Sequence, residues 1–171
     1  MFPIKNEQSV LVKRAINRAA SGLYFLEKIL DLVHTGGTDA AFSRSVYILL
    51  SFNFELILKS RLILARTGGS PDALLKGIKS HDLEMLSKEL SESELRDIFI
   101  SSIRKRQNAG FVEYEIETTE GRKIVVQDLV DVRYDFEKDS LRDSDPNEAA
   151  RIKEEIEVLL KMVRKIRESI Y

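Results

Sequence analysis

Three polar residues recur at four-residue spacing inside an otherwise apolar stretch and are the first candidates for chemistry. Ser51, Glu55 and Lys59 would share one face of a helix, and Arg44 and Arg66 extend that face at near-heptad offsets. Two interpretations of this face are open. Glu55 and Lys59 form an ordinary intrahelical ion pair, or they belong to a polar site that binds a ligand or phosphate inside the fold.

Two further groups of charged residues could contact a phosphate or a nucleic acid. Arg104, Lys105 and Arg106 stand together at the predicted end of a helix, where cations suit the helix dipole and could equally bind a nucleic acid. Arg133 and Tyr134 lie in a charged segment of irregular pattern. They are interpreted either as a stacked anchor of that loop or as a phosphate site.

The two histidines give little support for metal or hydrolase chemistry. Asp31 and His34 form one carboxylate-x-x-His pair, whereas a di-metal bundle needs such pairs facing one another. His34 is interpreted as a solvated residue at a helix C-terminus, and His81 as a structural residue that caps its helix or bonds a neighbouring loop. The chain has no cysteine, and it contains no Walker loop, GxGxxG turn or serine-triad context. We therefore expect no metal and no cofactor.

Composition sets further limits on domain organisation and partners. A chain of 171 residues with 43% hydrophobic content is expected to form one domain over residues 1–171. The formal net charge of -1 provides no global attraction for a polyanion, so a basic site must be local. The amino terminus lacks a signal-peptide pattern, and no run approaches the ~18 apolar residues of a spanning helix. We expect a cytoplasmic protein that does not associate with a membrane.

Hydrophobic periodicity predicts the helices that position these residues. Apolar residues at steps of three and four predict long amphipathic helices over residues 5–34 and, behind the helix start at Asp145-Pro146, over the carboxyl-terminal segment. Residues 40–67 are apolar almost all round between Val46 and Leu58, which predicts a central helix covered on several sides. Shorter helices are expected over residues 80–90 and, from the capping box of Ser91 and Glu94, over residues 91–108.

The pattern changes from a period of 3.6 to a period of 2 after residue 110. Val112, Tyr114 and Ile116 alternate with glutamates, and Glu120-Gly121 can turn the chain. This alternation predicts a small β-hairpin at about residues 111–126. The fold class expected from the whole sequence is all-α: an up-and-down bundle of four to five helices with a small β-hairpin insertion.

The order of these motifs resembles the HEPN superfamily of small helical proteins. The likeness rests on Phe54–Lys59 in the central helix, on Ser80–Leu86 with its His-Asp-Leu, and on Val132–Tyr134, and it covers roughly residues 5–168. The resemblance implies a bundle that often pairs as a homodimer. It also implies metal-independent cleavage of RNA by an arginine and a following histidine with four to six residues between them. In that chemistry the imidazole transfers the proton and the guanidinium binds the phosphate.

The arginine-histidine motif is incomplete in this chain. Arg133 occupies the arginine position, but Lys-Asp-Ser at residues 138–140 stands where the histidine is expected. Losing a positioned acid/base group typically costs about 10²- to 10⁴-fold in rate. The resemblance therefore implies a catalytically degenerate binding or regulatory module with RNA or a nucleotide as ligand, and Glu55, Lys59, Arg133 and Tyr134 as the candidate ligand-binding residues.

The resemblance also suggests partners and leaves rival functions open. A cognate antitoxin or a nucleotidyltransferase-like protein is the expected partner, in a bacterial defence or toxin-antitoxin setting. One alternative is a noncanonical, metal-independent ribonuclease that uses Arg133 with Glu55 and Lys59. The other alternative is a structural helix-bundle interaction protein without a ligand.

Overall fold

Three long helices, three short helices and one antiparallel sheet make up the described part of the chain in its computed structural model. The structure describes residues 6–33, 40–66, 70–76, 78–108, 110–129 and 147–170. The helices are α1 (Asn6–Val33), α2 (Ala40–Ala65), α3 (Pro71–Leu75), α4 (Leu83–Lys88), α5 (Glu92–Asp97) and α6 (Glu148–Glu168). The strands lie between α5 and α6 and are β1 (Ile100–Asn108), β2 (Phe111–Thr118) and β3 (Lys123–Gln127).

Helix α2 is the central element, as its nearly uniform apolar sequence predicts. It packs against α1 and α6, and also against α4 and β3. Its residues Leu50, Phe54, Ile57 and Leu58 are at most 1% exposed. A helix that is apolar on most sides must be covered on most sides, and burial of this surface at roughly 25 cal/mol per Å² favours the folded state.

Helices α1 and α6 lie antiparallel beside each other. Lys153 near the start of α6 donates to Asp31 near the end of α1 at 2.7 Å, and Arg167 at the end of α6 donates to Asn17 at 2.9 Å. The apolar residues of both helices face the core at the predicted three- and four-residue steps. The buried set includes Val12, Ile16, Leu23, Leu26 and Leu30 of α1 and Ile152, Ile156, Leu159, Val163 and Ile166 of α6.

The three-stranded antiparallel sheet, in the order β1-β2-β3, contradicts the prediction of an all-α bundle. The predicted hairpin is present as β2 and β3, with Glu117 opposite Lys123. The error lies in residues 91–108, where the periodicity predicts one helix. Only Glu92–Asp97 is helical there, whereas β1 pairs with β2 from Ile100 to Asn108. These cross-strand hydrogen bonds outweigh the helix propensity of the arginine, lysine and glutamine residues in β1.

The chain changes from α5 to β1 at Phe99. The φ angle of Phe99 is 62°, in the left-handed region that bulky residues rarely adopt and that commonly ends helices. The N–H of Thr119 donates to the Phe99 carbonyl at 2.9 Å, and Lys161 Nζ lies 4.7 Å from the centre of the Phe99 ring. Contacts from the turn after β2 and from α6 therefore hold a conformation that the local sequence does not indicate.

The inner face of the sheet shares one hydrophobic core with the long helices. Its buried residues are Ile103 of β1, Tyr114 and Ile116 of β2, and Ile124 and Val126 of β3. Within the described ranges, no helix combines the length and hydropathy needed to cross a membrane.

Candidate functional site

Glu55 is the centre of the polar face of α2, and its side chain is only 4% exposed. Lys59, one turn further along α2, places Nζ 2.7 Å from Oε1 of Glu55. His81, in the connection before α4, places Nδ1 3.0 Å from Oε2 and 3.1 Å from Oε1. Glu55 and Lys59 thus form the intrahelical pair foreseen from the sequence, and His81 is added to it. A buried carboxylate is tolerated because both of its oxygens have partners.

His81 bonds the central helix, which corrects the expectation that it caps its own helix or bonds a neighbouring loop. The N-cap of α4 is Asp82, whose carboxylate accepts the Met85 N–H at 3.0 Å. If the Nδ1 proton is donated to Glu55, a neutral imidazole keeps Nε2 as an acceptor. The side chain of His81 is 42% exposed, and Nε2 makes no hydrogen bond with any described residue. Of Glu55, Lys59 and His81, the histidine is therefore the residue that solvent or a ligand reaches most readily.

Ser51 joins the polar face of α2 to the sheet. Its hydroxyl donates to the Tyr47 carbonyl at 2.8 Å and accepts the N–H of Gln127, the last residue of β3, at 3.0 Å. Ser51 is buried. Because its hydroxyl bonds backbone groups of both α2 and β3, Ser51 holds the end of β3 against α2.

Arg66, just beyond α2, has a similar structural role. Its guanidinium donates to the carbonyls of Leu74 and Lys76 at 2.6 Å each and to the Glu89 carboxylate at 2.8 Å. These bonds satisfy carbonyls at the end of α3 that have no hydrogen-bond donor within the helix. Arg66 therefore fixes α3, and its hydrogen-bond partners among the described residues do not include Glu55 or Lys59. The side chain of Arg44 lies outside the described part of the structure.

A second polar cluster lies where the sheet meets the start of α4, next to His81 in the sequence. Lys105 Nζ lies 2.8 Å from Oδ2 of Asp82, and the Lys105 N–H donates to Glu84 at 3.2 Å. Burial raises the pKa of Asp82, but the hydrogen bonds from Lys105 and Met85 outweigh burial and leave this pKa below its ordinary value. The hydrogen bond with Asp82 correspondingly raises the pKa of Lys105.

Tyr114 connects this cluster to the end of the sheet. It is fully buried, and its hydroxyl donates to Oδ2 of Asp128 at 2.7 Å. Burial and then the bond to Asp128 raise the pKa of Tyr114 far above its ordinary value. The phenol therefore stays protonated and acts as a hydrogen-bond donor, so it is not an available base.

The basic residues at positions 104–106 lie on β1 and not at the end of a helix. Arg106 pairs with Glu115 at 2.7 Å, and Lys105 pairs with Asp82. Arg104 is exposed and forms no ion pair with a described residue. Two of the three cations are thus neutralised within the chain, which weakens the field they could offer to a nucleic acid.

Several predicted site residues fall outside the described residues: Arg133, Tyr134, His34 and positions 138–140. A site that combines Arg133 with Glu55 and Lys59 therefore stays a prediction. In the ranges that are described, no three histidine, aspartate or glutamate side chains meet as metal ligands.

Sequence reasoning missed the pairing of His81 with Glu55 and the cluster of Asp82, Lys105 and Tyr114. A carboxylate on an apolar helix requires a partner beyond its intrahelical lysine, and this requirement was the available signal. It does not identify the partner, because His81 is 26 positions from Glu55 and only the fold brings them together.

Comparisons with models of protein families, with curated proteins and with solved structures each find no match to this chain. The motifs and the geometry around Glu55 and His81 are therefore the basis for a functional proposal.

Proposed function

We propose that this chain is a HEPN-like module that binds RNA or a nucleotide and does not cleave it. The observation that carries the proposal is that both oxygens of Glu55 are engaged, by Lys59 and by His81. A carboxylate with two such partners is poorly placed to accept the proton of an attacking 2′-hydroxyl. The absence of a histidine that follows Arg133 with four to six residues between them supports the same conclusion.

The proposed likeness concerns the helical part of the molecule. The Glu-x-x-x-Lys motif lies on the central helix α2, and the His-Asp-Leu motif begins α4 and contacts α2 through His81. The three-stranded sheet between α5 and α6 is then an elaboration of that helical part. Motif order and the His81–Glu55 contact are the support for the likeness.

The proposal extends to a homodimer and to a regulatory role beside a cognate antitoxin or a nucleotidyltransferase-like protein, as in bacterial defence or toxin-antitoxin pairs. Its support is the resemblance together with the lengths of α1 and α6, which suit packing against a second chain. Light scattering at micromolar concentration tests the dimer. A monomeric mass would contradict it.

One observation favours a second candidate, a metal-independent ribonuclease. Glu55 holds the imidazole of His81 through Nδ1 and leaves Nε2 open to solvent, which is how a carboxylate orients a catalytic histidine. In this candidate His81 would exchange the proton of the 2′-hydroxyl or of the leaving oxygen, and Arg133 would bind the phosphate.

Labelled RNA distinguishes the two candidates. We expect the wild-type protein, in the presence of a metal chelator, to retard the RNA in a native gel and to leave it intact. His81→Ala and Arg133→Ala should then show the same background level of cleavage as the wild type, and Lys79→Ala serves as an exposed control. Cleavage by the wild type that both substitutions abolish would establish the ribonuclease. If neither RNA nor nucleotides bind or shift the melting temperature, the protein is structural.

A further inference from the structure

The facing halves of α1 and α6 concentrate positive charge without intervening carboxylates. Between Gln8 and Leu26, α1 contains three lysine or arginine residues and no aspartate or glutamate. Between Val158 and Arg167, α6 contains four such cations and again no acidic residue. Because the whole chain has a formal net charge of -1, this clustering is a local feature and not a consequence of composition.

The antiparallel packing of α1 and α6 brings these two stretches together. Arg167 of α6 donates to Asn17 of α1 at 2.9 Å. On α1, Arg14 lies one turn before Asn17, and Arg18 lies one turn after Arg14; on α6, Arg164 lies one turn before Arg167. These arginines therefore lie on neighbouring turns of the two helices around the seam that the Arg167–Asn17 bond marks.

The arginines at this seam are open to solvent and available for a ligand. Arg14, Arg18 and Arg164 are exposed, and none of them forms an ion pair or hydrogen bond with a described residue. The lysines of the same stretch of α6 differ in this respect, because Lys161 bonds Glu120 and Lys165 pairs with Glu168. The planar guanidinium matches phosphate oxygens with two parallel donors.

An exposed aromatic side chain, Phe25, lies on the same face of α1 as Arg14 and Arg18. Phe25 follows Arg18 by seven residues, which is close to two turns and about 10 Å along the helix axis. Its side chain is 59% exposed. Such a residue next to cations can stack on a nucleic-acid base while the arginines hold the backbone.

We propose that the surface formed by Arg14, Arg18, Phe25 and Arg164 binds a single-stranded nucleic acid. The arginines contact successive phosphates, and Phe25 stacks on an unpaired base. This inference rests on the proposed binding function and names its ligand and its surface. The surface is separate from the Glu55–His81 pair, which lies between α2 and the start of α4.

A single strand fits this surface better than a bilayer does. Stacking on Phe25 requires a base that is not paired in a duplex. A membrane-surface helix buries a wide apolar face in the lipid, whereas Val12, Ile16, Leu23 and Leu26 of α1 are already buried in the protein core.

A triple substitution tests the arginines against a matched control. Arg14→Ala/Arg18→Ala/Arg164→Ala removes three charges from the surface, and Lys79→Ala/Lys88→Ala/Arg96→Ala removes three exposed charges from α4, α5 and the connection before them. Binding of short fluorescent RNA and DNA single strands is measured by anisotropy at several salt concentrations. The surface variant should bind at least tenfold more weakly, and the control variant should bind within twofold of wild type. The slope of log Kd against log salt should fall by about 2 in the surface variant, since each single-strand phosphate contact contributes about 0.7.

Phe25→Ala tests the aromatic contact separately. It should weaken binding of either single strand about tenfold, in line with measured base-aromatic stacking. It should leave unchanged the binding of heparin, a polyanion without bases. Circular dichroism and melting temperature show whether each variant is folded, and all four substituted residues are at exposed helix positions.

The outcomes distinguish failure of this binding surface from failure of the proposed function. If the wild type binds the strands and the triple variant binds them equally well, the surface is overturned and the proposed function stands. If the wild type binds neither strands nor nucleotides, both fail. Binding to anionic vesicles but not to single strands would assign the surface to a membrane and overturn the proposal. A change from dimer to monomer in Phe25→Ala, with strand binding intact, would assign the surface to a second copy of the chain and would also overturn it.

Discussion

Nδ1 of His81 lies 3.0 Å from Oε2 of Glu55, although the two residues are 26 positions apart. This contact ties the connection before α4 to the central helix, and Lys59 binds the same carboxylate at 2.7 Å. Because Glu55 is almost completely buried, its charge depends on these two partners for compensation.

Replacing Lys59 should therefore destabilise the fold. Lys59→Met leaves the Glu55 carboxylate with His81 alone, and we expect the free energy of unfolding in urea at neutral pH to fall by about 2 kcal/mol. Lys88→Met is a matched control, because Lys88 forms the same type of i,i+4 pair with Glu84 at an exposed position. The control should change stability by less than about 0.5 kcal/mol. Equal effects of the two substitutions would contradict the burial argument.

Gly22 of α1 meets Asn53 of α2 too closely for a larger residue. A Cβ atom at position 22 would lie 2.7 Å from Nδ2 and 2.9 Å from Cγ of Asn53. Gly22→Ala should therefore lower the melting temperature, with an overpacking cost of about 1–3 kcal/mol that exceeds the gain in helix propensity. Ser21→Ala, at the exposed neighbouring position, should leave stability nearly unchanged.

Shortening Asn53 should relieve this conflict. Asn53 is buried, and its Nδ2 has no hydrogen-bond partner among the described residues. Gly22→Ala/Asn53→Ala should consequently be more stable than the sum of the two single effects, by about 1 kcal/mol in a double-mutant cycle. Strict additivity would show that the two side chains do not compete for the same space.

The Asp82–Lys105 pair should contribute to stability at neutral pH and not in acid. The folded protein holds the pKa of Asp82 below the ordinary value of 3.8, so the contribution is present above that pH and is lost as the pH falls below it. Asp82→Asn keeps an N-cap side chain but removes the charge, and it should cost about 1 kcal/mol at pH 7. The difference between wild type and variant should shrink below pH 3.8. Lys105→Met should reproduce this pattern, and a constant difference across the acid range would refute it.

Tyr114 should make the fold sensitive to alkali. Its pKa is raised above the ordinary value of 10.0, so its contribution to stability is complete below that pH and is lost as the pH rises above it. Tyr114→Phe removes the donor to the buried Asp128 and should cost about 2 kcal/mol at neutral pH. Urea unfolding should show that the penalty decreases above pH 10.0. Tyr24→Phe, at a half-exposed position, should behave like wild type.

The long helices and the hairpin were predictable because their signals are local and periodic. Apolar steps of three and four residues indicate α1 and α6, and the stretch that is apolar almost all round indicates α2. The alternation around Tyr114 with a turn at Glu120-Gly121 indicates β2 and β3. The capping box of Ser91 and Glu94 also forms as predicted, with the Ser91 N–H donating to Glu94 at 2.7 Å. Each of these features is stabilised mainly by groups a few residues apart or by a face that must be buried.

Strand β1 could not be predicted in this way. Leu95, Ile98, Phe99 and Ile103 have helix-like spacing, and the basic residues that follow favour a helix. The strand forms because β2 offers partners from Ile100 to Asn108, with one register shift between Ile100 and Ser102, and because contacts from other elements hold Phe99 at a positive φ. Pairing across the sheet depends on the residues of the partner strand, which the periodicity of β1 itself does not indicate.

The sequence by itself determined which segments are amphipathic, that α2 must be covered, and that its carboxylate and lysine share one face. Only the tertiary structure decided that Glu55 is paired with His81, that two of the three cations at positions 104–106 are neutralised, and that the arginines of α1 and α6 border one seam. The physical reason is that helix periodicity is a property of neighbouring residues, whereas compensation of a buried charge and clustering of surface charges depend on which distant elements pack together.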